Sequence, residues 1–440
     1  MSRRKVIMFL LSILILVAYS RFDQSIVNAT GLPDAEDIDG SMQAHVPPVD
    51  EAIKTFQVRI KQNPQDAVSY TLLGELYIRQ ARETGDVGSY RRAEAALSEA
   101  LNLLPGYPPA SASLASVYYA QHDFTQALKL AQDVYAGNPR NVQALVVIGD
   151  AQLALGNYEE AEAIYQDLNN RGGTPPVLAR LAALAELQGK PKEALQLMRR
   201  AAGDALRAGG TRESVAWYLL RVGDMYFNTG EITEAGNYYE ASLRVFDNYH
   251  LALAGLGRVR SGQGKYDQAI AYFQRASDII PQPDHLAALG DMYMLTDQPD
   301  QARLQYETVE YVGKLAALNQ QIYNRQLANF YSDHDLNLKE ALRLALAELE
   351  VRKDIYGYDA AAWAYYKNGN FNEAQAMMQH AMLFGTSDAR LYYHAGMIAH
   401  ALGSDQEARR LLEMALAINP YFDMLQVPIL RTTLNGLAQP

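Results

Sequence analysis

LGNYEEA at residues 155–161, GQGKYDQA at 262–269 and KNGNFNEA at 367–374 are three versions of one phrase. Each has a glycine, one polar residue, an aromatic, and an alanine three residues after the aromatic. The physical reading is a first helix ending on a glycine with φ > 0 and a second, antiparallel helix that carries the alanine.

Reading outward from these phrases, the alanine recurs as Ala93, Ala127, Ala161, Ala194, Ala235, Ala269, Ala302, Ala341, Ala374 and Ala408, at intervals of 34, 34, 33, 41, 34, 33, 39, 33 and 34 residues. A period near 34 fits a repeated pair of antiparallel helices. About twelve residues before each alanine, further in the first and eighth units because of insertions, stands a small residue: Gly74, Ala115, Gly149, Ala182, Gly223, Gly257, Gly290, Ala328, Ala362 and Gly396. Four residues after the alanine a large apolar group is common, as in Leu97, Tyr165, Met198, Tyr239, Phe273, Tyr306 and Leu412. Small residues on both helices let the axes approach, and the large groups, at spacings that keep one face, fill the space beside them. Pro64, Pro105, Pro139, Pro281 and Pro420 close several units, where a helix cannot continue. No single unit can bury its own face, so the stack must supply the core.

On these residues the chain resembles a tetratricopeptide-repeat protein, with the pattern covering roughly residues 66–420. The resemblance implies an all-α, right-handed superhelical solenoid of about ten repeats with capping helices, whose concave inner face holds a protein or peptide segment. Residues 49–65 read as a lone second helix capping the N-terminal end, and 421–440 as a C-terminal cap. The long intervals arise around residues 203–213 and 315–321, where the array is expected to lengthen its helices or bend.

Ahead of the array, Arg3, Arg4 and Lys5 precede an uncharged apolar run at residues 6–19. A basic stretch followed by such a run has the layout of an export signal. At 14 residues it is short for a spanning helix, which needs roughly 20. Residues 1–20 are therefore expected to act as a signal peptide or a signal anchor, and the sequence is compatible with both. Residues 21–48, with Gly31, Pro33, an acidic stretch and Pro47–Pro48, are expected to be a disordered linker. The expected location is outside the cytoplasm or at the cell envelope, on the membrane if the N-terminal segment is retained.

The composition narrows the function. Among 440 residues, 49% are apolar, and the net charge of −11 argues against nucleic acid, whose phosphates require clustered Lys and Arg. With no cysteine, thiol catalysis, disulfides and Cys-ligated zinc are excluded. None of the eight histidines forms HExxH or an i, i+4 pair. The cluster Asp333–His334–Asp335 falls where a repeat turn is expected, and turns favour such polar groups. No catalytic residue, metal or cofactor is expected, so the chain reads as a non-enzymatic scaffold. A receptor for a small molecule or glycan, or a non-catalytic subunit of an enzyme complex, is the alternative.

The first-helix positions that line the groove in the family carry over to named residues here. They are Trp217, Asp224, Phe227 and Asn228 in the fifth repeat, and Arg325, Asn329 and Asp333 in the eighth. The ninth supplies Tyr356, Asp359, Trp363, Tyr366 and Lys367, and the tenth Arg390, Tyr393 and His400. Both tryptophans of the chain are among them, and aromatic and Arg side chains are the usual anchors of recognition. The positions at which some relatives grip a C-terminal carboxylate hold Thr71, Glu75, Ala112, Ser116, Val146 and Asp150, so that clamp is not expected.

Overall fold

The computed structural model describes residues 31–38, 48–318 and 324–437, which form 22 α-helices and, among the described residues, no β-strand. Helix α1 (Val49–Gln62) precedes ten antiparallel pairs. The first five are α2 (Ala67–Thr84) with α3 (Gly88–Leu103), α4 (Pro108–Ala120) with α5 (Phe124–Gly137), α6 (Val142–Ala154) with α7 (Tyr158–Asn170), α8 (Pro175–Leu187) with α9 (Pro191–Arg207), and α10 (Arg212–Asn228) with α11 (Ile232–Val245). The next five are α12 (His250–Gly262) with α13 (Tyr266–Ile279), α14 (Pro283–Leu295) with α15 (Pro299–Leu318), α16 (Asn324–Asp333) with α17 (Leu338–Val351), α18 (Ile355–Lys367) with α19 (Phe371–Ala381), and α20 (Ala389–Ala401) with α21 (Asp405–Ile418). Helix α22 (Gln426–Leu437) ends the array.

All ten alanines of the recurring series have no exposed surface. The glycines opposite them explain the rest of the pattern. A Cβ built on Gly74, Gly149, Gly223, Gly257, Gly290 or Gly396 would come within 2.7 Å of Leu97, Tyr165, Tyr239, Phe273, Tyr306 or Leu412 respectively. These are the large groups four residues after the alanine, so each occupies a slot that only glycine leaves open. Helix starts are fixed by caps such as Asp66, Asp123, Asn141 and Thr211, whose side chains accept from a backbone N–H inside the first turn. The long interval at residues 203–213 is absorbed by lengthening, since α9 and α10 each have 17 residues. Helix α15 likewise has 20.

The solenoid is wound tightly enough to touch itself. The N–H of Lys353 donates to the carbonyl of Ala154 at 2.9 Å, and the N–H of Ile355 to the Tyr158 hydroxyl at 2.9 Å. The Thr386 hydroxyl donates to the Leu187 carbonyl, and Asn419 Nδ2 to the Phe227 carbonyl at 2.8 Å. The three accepting carbonyls lie in the last turns of α6, α8 and α10, where a helix leaves its C=O groups unsatisfied. Their partners come from the loops after repeats eight, nine and ten, five repeats further along. At Gly156 (φ +83°) a Cβ would lie 2.7 Å from the Lys353 carbonyl, and at Gly189 (φ +68°) 2.7 Å from that of Gly385. The turn glycines thus serve the winding as well as the repeat.

One expected feature is corrected. Residues 31–38 are not a free linker: Leu32, Ala35 and Ile38 are buried at 2%, 5% and 2% exposure in the core built by repeats four and five. Arg207 donates to the Gly31 carbonyl, and Arg244 to the carbonyls of Ala35 and Ile38. Three apolar side chains and two arginine forks pin a stretch whose polar composition resembles a linker. The expected signal, residues 1–20, lies outside the described residues. Among those described, no helix is long and apolar enough to cross a membrane.

Candidate functional site

The first helices carry a repeated polar unit. An aspartate follows the small glycine in three of them, at Gly149–Asp150, Gly223–Asp224 and Gly290–Asp291. Each accepts a hydrogen bond from the tyrosine that fills the glycine slot: Tyr165, Tyr239 and Tyr306 donate to Asp150, Asp224 and Asp291, each at 2.8 Å. Each also pairs with a cation further along the array, Arg180 at 2.6 Å, Arg258 at 2.7 Å and His334 at 2.7 Å. Asp333 continues the series, accepting from Trp363 Nε1 at 2.8 Å and pairing with Arg390 at 3.3 Å. The Asp359 carboxylate meets His394 Nδ1 at 2.8 Å. Glycine followed by aspartate was a legible signal for Asp150, Asp224 and Asp291.

Of these groups Arg258, Asp291, Asp333, His334 and Arg390 line the inside of the winding. Between repeats five and ten the inner face holds a half-open cavity of about 410 Å³, to which α10, α12, α14, α16, α20 and residues 421–426 all contribute. Its charged lining is Arg258, Arg325, Arg390 and His334 against Asp284, Asp291, Asp333 and Asp423, with Phe227, Phe330 and Phe422 beside them. Burial alone lowers the His334 pKa, but the hydrogen bond and charge of Asp291 outweigh it and lift it to about 9, so this imidazole is protonated at neutral pH. Burial lifts Asp423 to about 6 against the pull of Arg390, with Asp333 and Asp291 adding repulsion. Asp224, behind the wall, is held below the usual carboxylate range because Arg258 and Arg221 overcome its burial. Asp284 differs from its neighbours. It is exposed to the space inside the lumen yet ringed by protein, and that enclosure raises its pKa against Arg390, Arg325 and Arg258. It sits in the first turn of α14, where the helix end favours a carboxylate.

Of the residues carried over from the family register, Phe227, Arg325 and Asn329 line this cavity, as do Asp333 and Arg390. Asn228 lines a smaller recess beside it and donates to Glu186 at 2.9 Å. Asp224 stands behind Arg258. Several others point elsewhere. Trp363 is 1% exposed, stacked on His394 at 4.1 Å and on Tyr366 at 4.7 Å. Tyr393, also 1% exposed, donates to Gln426 at 2.7 Å, and Asp359 is consumed by His394. The correction has one cause: the last two repeats and α22 fold over these side chains and make them core. Trp217 is half-buried against Tyr218, and Tyr356 is half-buried too. His400 is exposed and pairs with Asp405 across the α20–α21 turn, away from the cavity. Asp335 takes φ +54° in the turn of repeat eight, and among the described residues no group of His, Asp and Glu could hold a metal ion.

A second histidine pair gives a pH test. His250 Nδ1 and His285 Nε2 are 2.9 Å apart and buried, and burial pushes their pKa values down to about 4 and about 3. Both are neutral in the fold, whereas the unfolded chain protonates through pH 6.5. The pair's contribution to stability must then fall as pH drops from about 6.5 toward 4, because these two imidazoles gain protons there only in the unfolded state. His334 has the opposite sign: its contribution is complete below pH 6.5 and is lost as pH rises through 9. In urea titrations the midpoint is expected to fall between pH 6.5 and 4, and less steeply in His285→Gln. Equal slopes in the two proteins would show that the pair titrates like exposed imidazole.

The helix pairs, their stacking and the enclosed inner face define an all-α repeat solenoid. Three tetratricopeptide-repeat family models match it, at residues 118–187, 213–282 and 360–421. The chain is a tetratricopeptide-repeat protein. It is similar to TPR repeat-containing protein YpiA of Bacillus subtilis, with 26% identity over 179 residues, 40% of each chain. It is also similar to the Protein CTR9 homolog of Arabidopsis thaliana, with 24% identity over 281 residues, 62% of this chain and 24% of that one. The chain thus spans less than half the length of either relative. Among solved structures, the human IFIT1 dimer with PPP-AAAA shares the fold, with a TM-score of 0.50 and 16% identity over 77% of each chain.

Proposed function

We propose that the chain is a non-catalytic scaffold that holds a protein or peptide segment on the inner face of its solenoid and works at the cell envelope. The observation that carries this reading is the cavity of about 410 Å³, where Phe227, Arg325 and Asn329 converge with Arg258 and Arg390. Aromatic and arginine side chains are the usual anchors of recognition. Tetratricopeptide-repeat proteins generally bind protein partners, which supports the coarse part of the reading. The envelope part rests on the sequence alone, on Arg3, Arg4 and Lys5 ahead of the apolar run at residues 6–19.

A photo-crosslinking residue in place of Asn329, compared with one in place of the outward-facing His400, tests the reading in source membranes. The expected result is one discrete adduct from position 329 and none from 400, with the crosslinked peptide mapping to a partner protein. Equal labelling from both positions, or none from 329, would overturn the inner face as the binding site.

A further inference from the structure

We infer that the cavity between repeats five and ten is a seat for a small zwitterion of roughly tripeptide size, its ammonium on the Asp284 carboxylate and its own carboxylate on the guanidiniums of Arg258 and Arg325. The inference rests on the reading of the inner face as the binding site, and narrows what enters this part of it.

The seat holds polar groups that the protein does not use. Among the described residues no hydrogen bond or ion pair reaches Asp284, although it faces the cavity and feels Arg390, Arg325 and Arg258. The guanidiniums also have donors to spare. Arg258 engages Asp224 and Tyr239 through Nη2 alone, and Arg325 reaches Asp354 only through Nη1 at 3.5 Å. Each carries five N–H donors in a fixed fork suited to carboxylate.

The balance of charge selects the ligand class. Four cationic and four carboxylate side chains line the space. A polyanion would press on four carboxylates, and a polycation on three guanidiniums and an imidazolium. A compact molecule carrying one charge of each sign matches the free carboxylate and the free donors together. Its size follows from the volume, which lies in the roughly 300–1,000 Å³ range of ligand pockets.

Calorimetry on the full chain with the set of free Ala-Xaa-Ala tripeptides, each also N-acetylated and C-amidated, tests the inference. At least one free peptide is expected to saturate a single site, with affinity reduced at least tenfold by either blocking group. Asp284→Asn should make the free and acetylated forms bind alike, and Arg325→Gln should do the same for the free and amidated forms. Asp284 makes no hydrogen bond among the described residues, so its variant should melt with the parent and its loss can be read as binding. No binding by any free peptide, or equal binding by the blocked forms, overturns the inference. If that happens while position 329 still crosslinks to a partner, the scaffold reading stands and only the zwitterion seat falls.

Discussion

Replacing Trp363 by Ala is expected to cost about 3–5 kcal/mol of stability, the range for deleting a buried indole. The side chain is 1% exposed and packs face to face with His394 on one side and Tyr366 on the other. Removing it opens a large void and leaves the Asp333 carboxylate without the Nε1 donor it accepts from at 2.8 Å. Asp333 also faces Arg390 at 3.3 Å, so the disturbance reaches the cavity wall. The groove register leads one to expect the reverse, a loss of partner binding larger than the loss of folding. Trp363→Phe separates the two contributions, since it keeps most of the volume and loses only the hydrogen bond, which is worth roughly 1–3 kcal/mol to a charged acceptor. Urea unfolding midpoints measure both variants. An Ala variant with the parent's midpoint would mean that the indole is a surface anchor after all.

Gly255→Val should be similarly damaging, for the opposite reason. The Tyr239 ring lies in a slot between Gly223 of α10 and Gly255 of α12, and a Cβ on Gly255 would stand 2.8 Å from the ring carbons. Helix α12 cannot take a branched side chain there without expelling the ring, and overpacking of this kind costs about 1–3 kcal/mol. Expulsion would also break the Tyr239 contacts with Asp224 and Arg258, leaving partly buried charges with fewer partners. The two effects together are expected to exceed about 3 kcal/mol. Gly236→Ala is the contrast. Its Cβ would meet only Val259, at an ordinary 3.4 Å, so the gain in helix propensity of about 0.5–1 kcal/mol should make that variant neutral or stabilised. If both variants melt alike, the slot does not constrain the ring.

The helix pairs were legible because their packing is local. Ala269 and Phe273 are four residues apart, Gly257 is twelve before Ala269, and the slot that joins them repeats along the chain. The inner face was legible in part, since Phe227, Arg325 and Asn329 follow from register. What register cannot convey is what lies on top of a helix face. Trp363 and Tyr393 occupy groove positions by count, but α22 covers them with Leu430 and Gln426, and nothing near residue 363 announces that. The docking of residues 31–38 on Arg207 and Arg244 was hidden for the same reason. It joins stretches about 170–210 residues apart that share no period. Asp284 escaped notice because an aspartate in the first turn of a helix is ordinary in sequence, and only the winding encloses it.

The hydrogen bonds that run from Lys353, Thr386 and Asn419 back to Ala154, Leu187 and Phe227 bear on how the molecule comes apart. An open array of this kind unfolds as a one-dimensional lattice, fraying from its ends, with each unit sensing only its neighbours. Here each of three central units is also tied to a unit five places away, which adds a second dimension to the lattice. Loss of the C-terminal pair would therefore strip a bond from α10, near the middle of the chain, and the ends could not melt independently of the centre. Unfolding should accordingly be sharper than the chain's length and repeat architecture suggest.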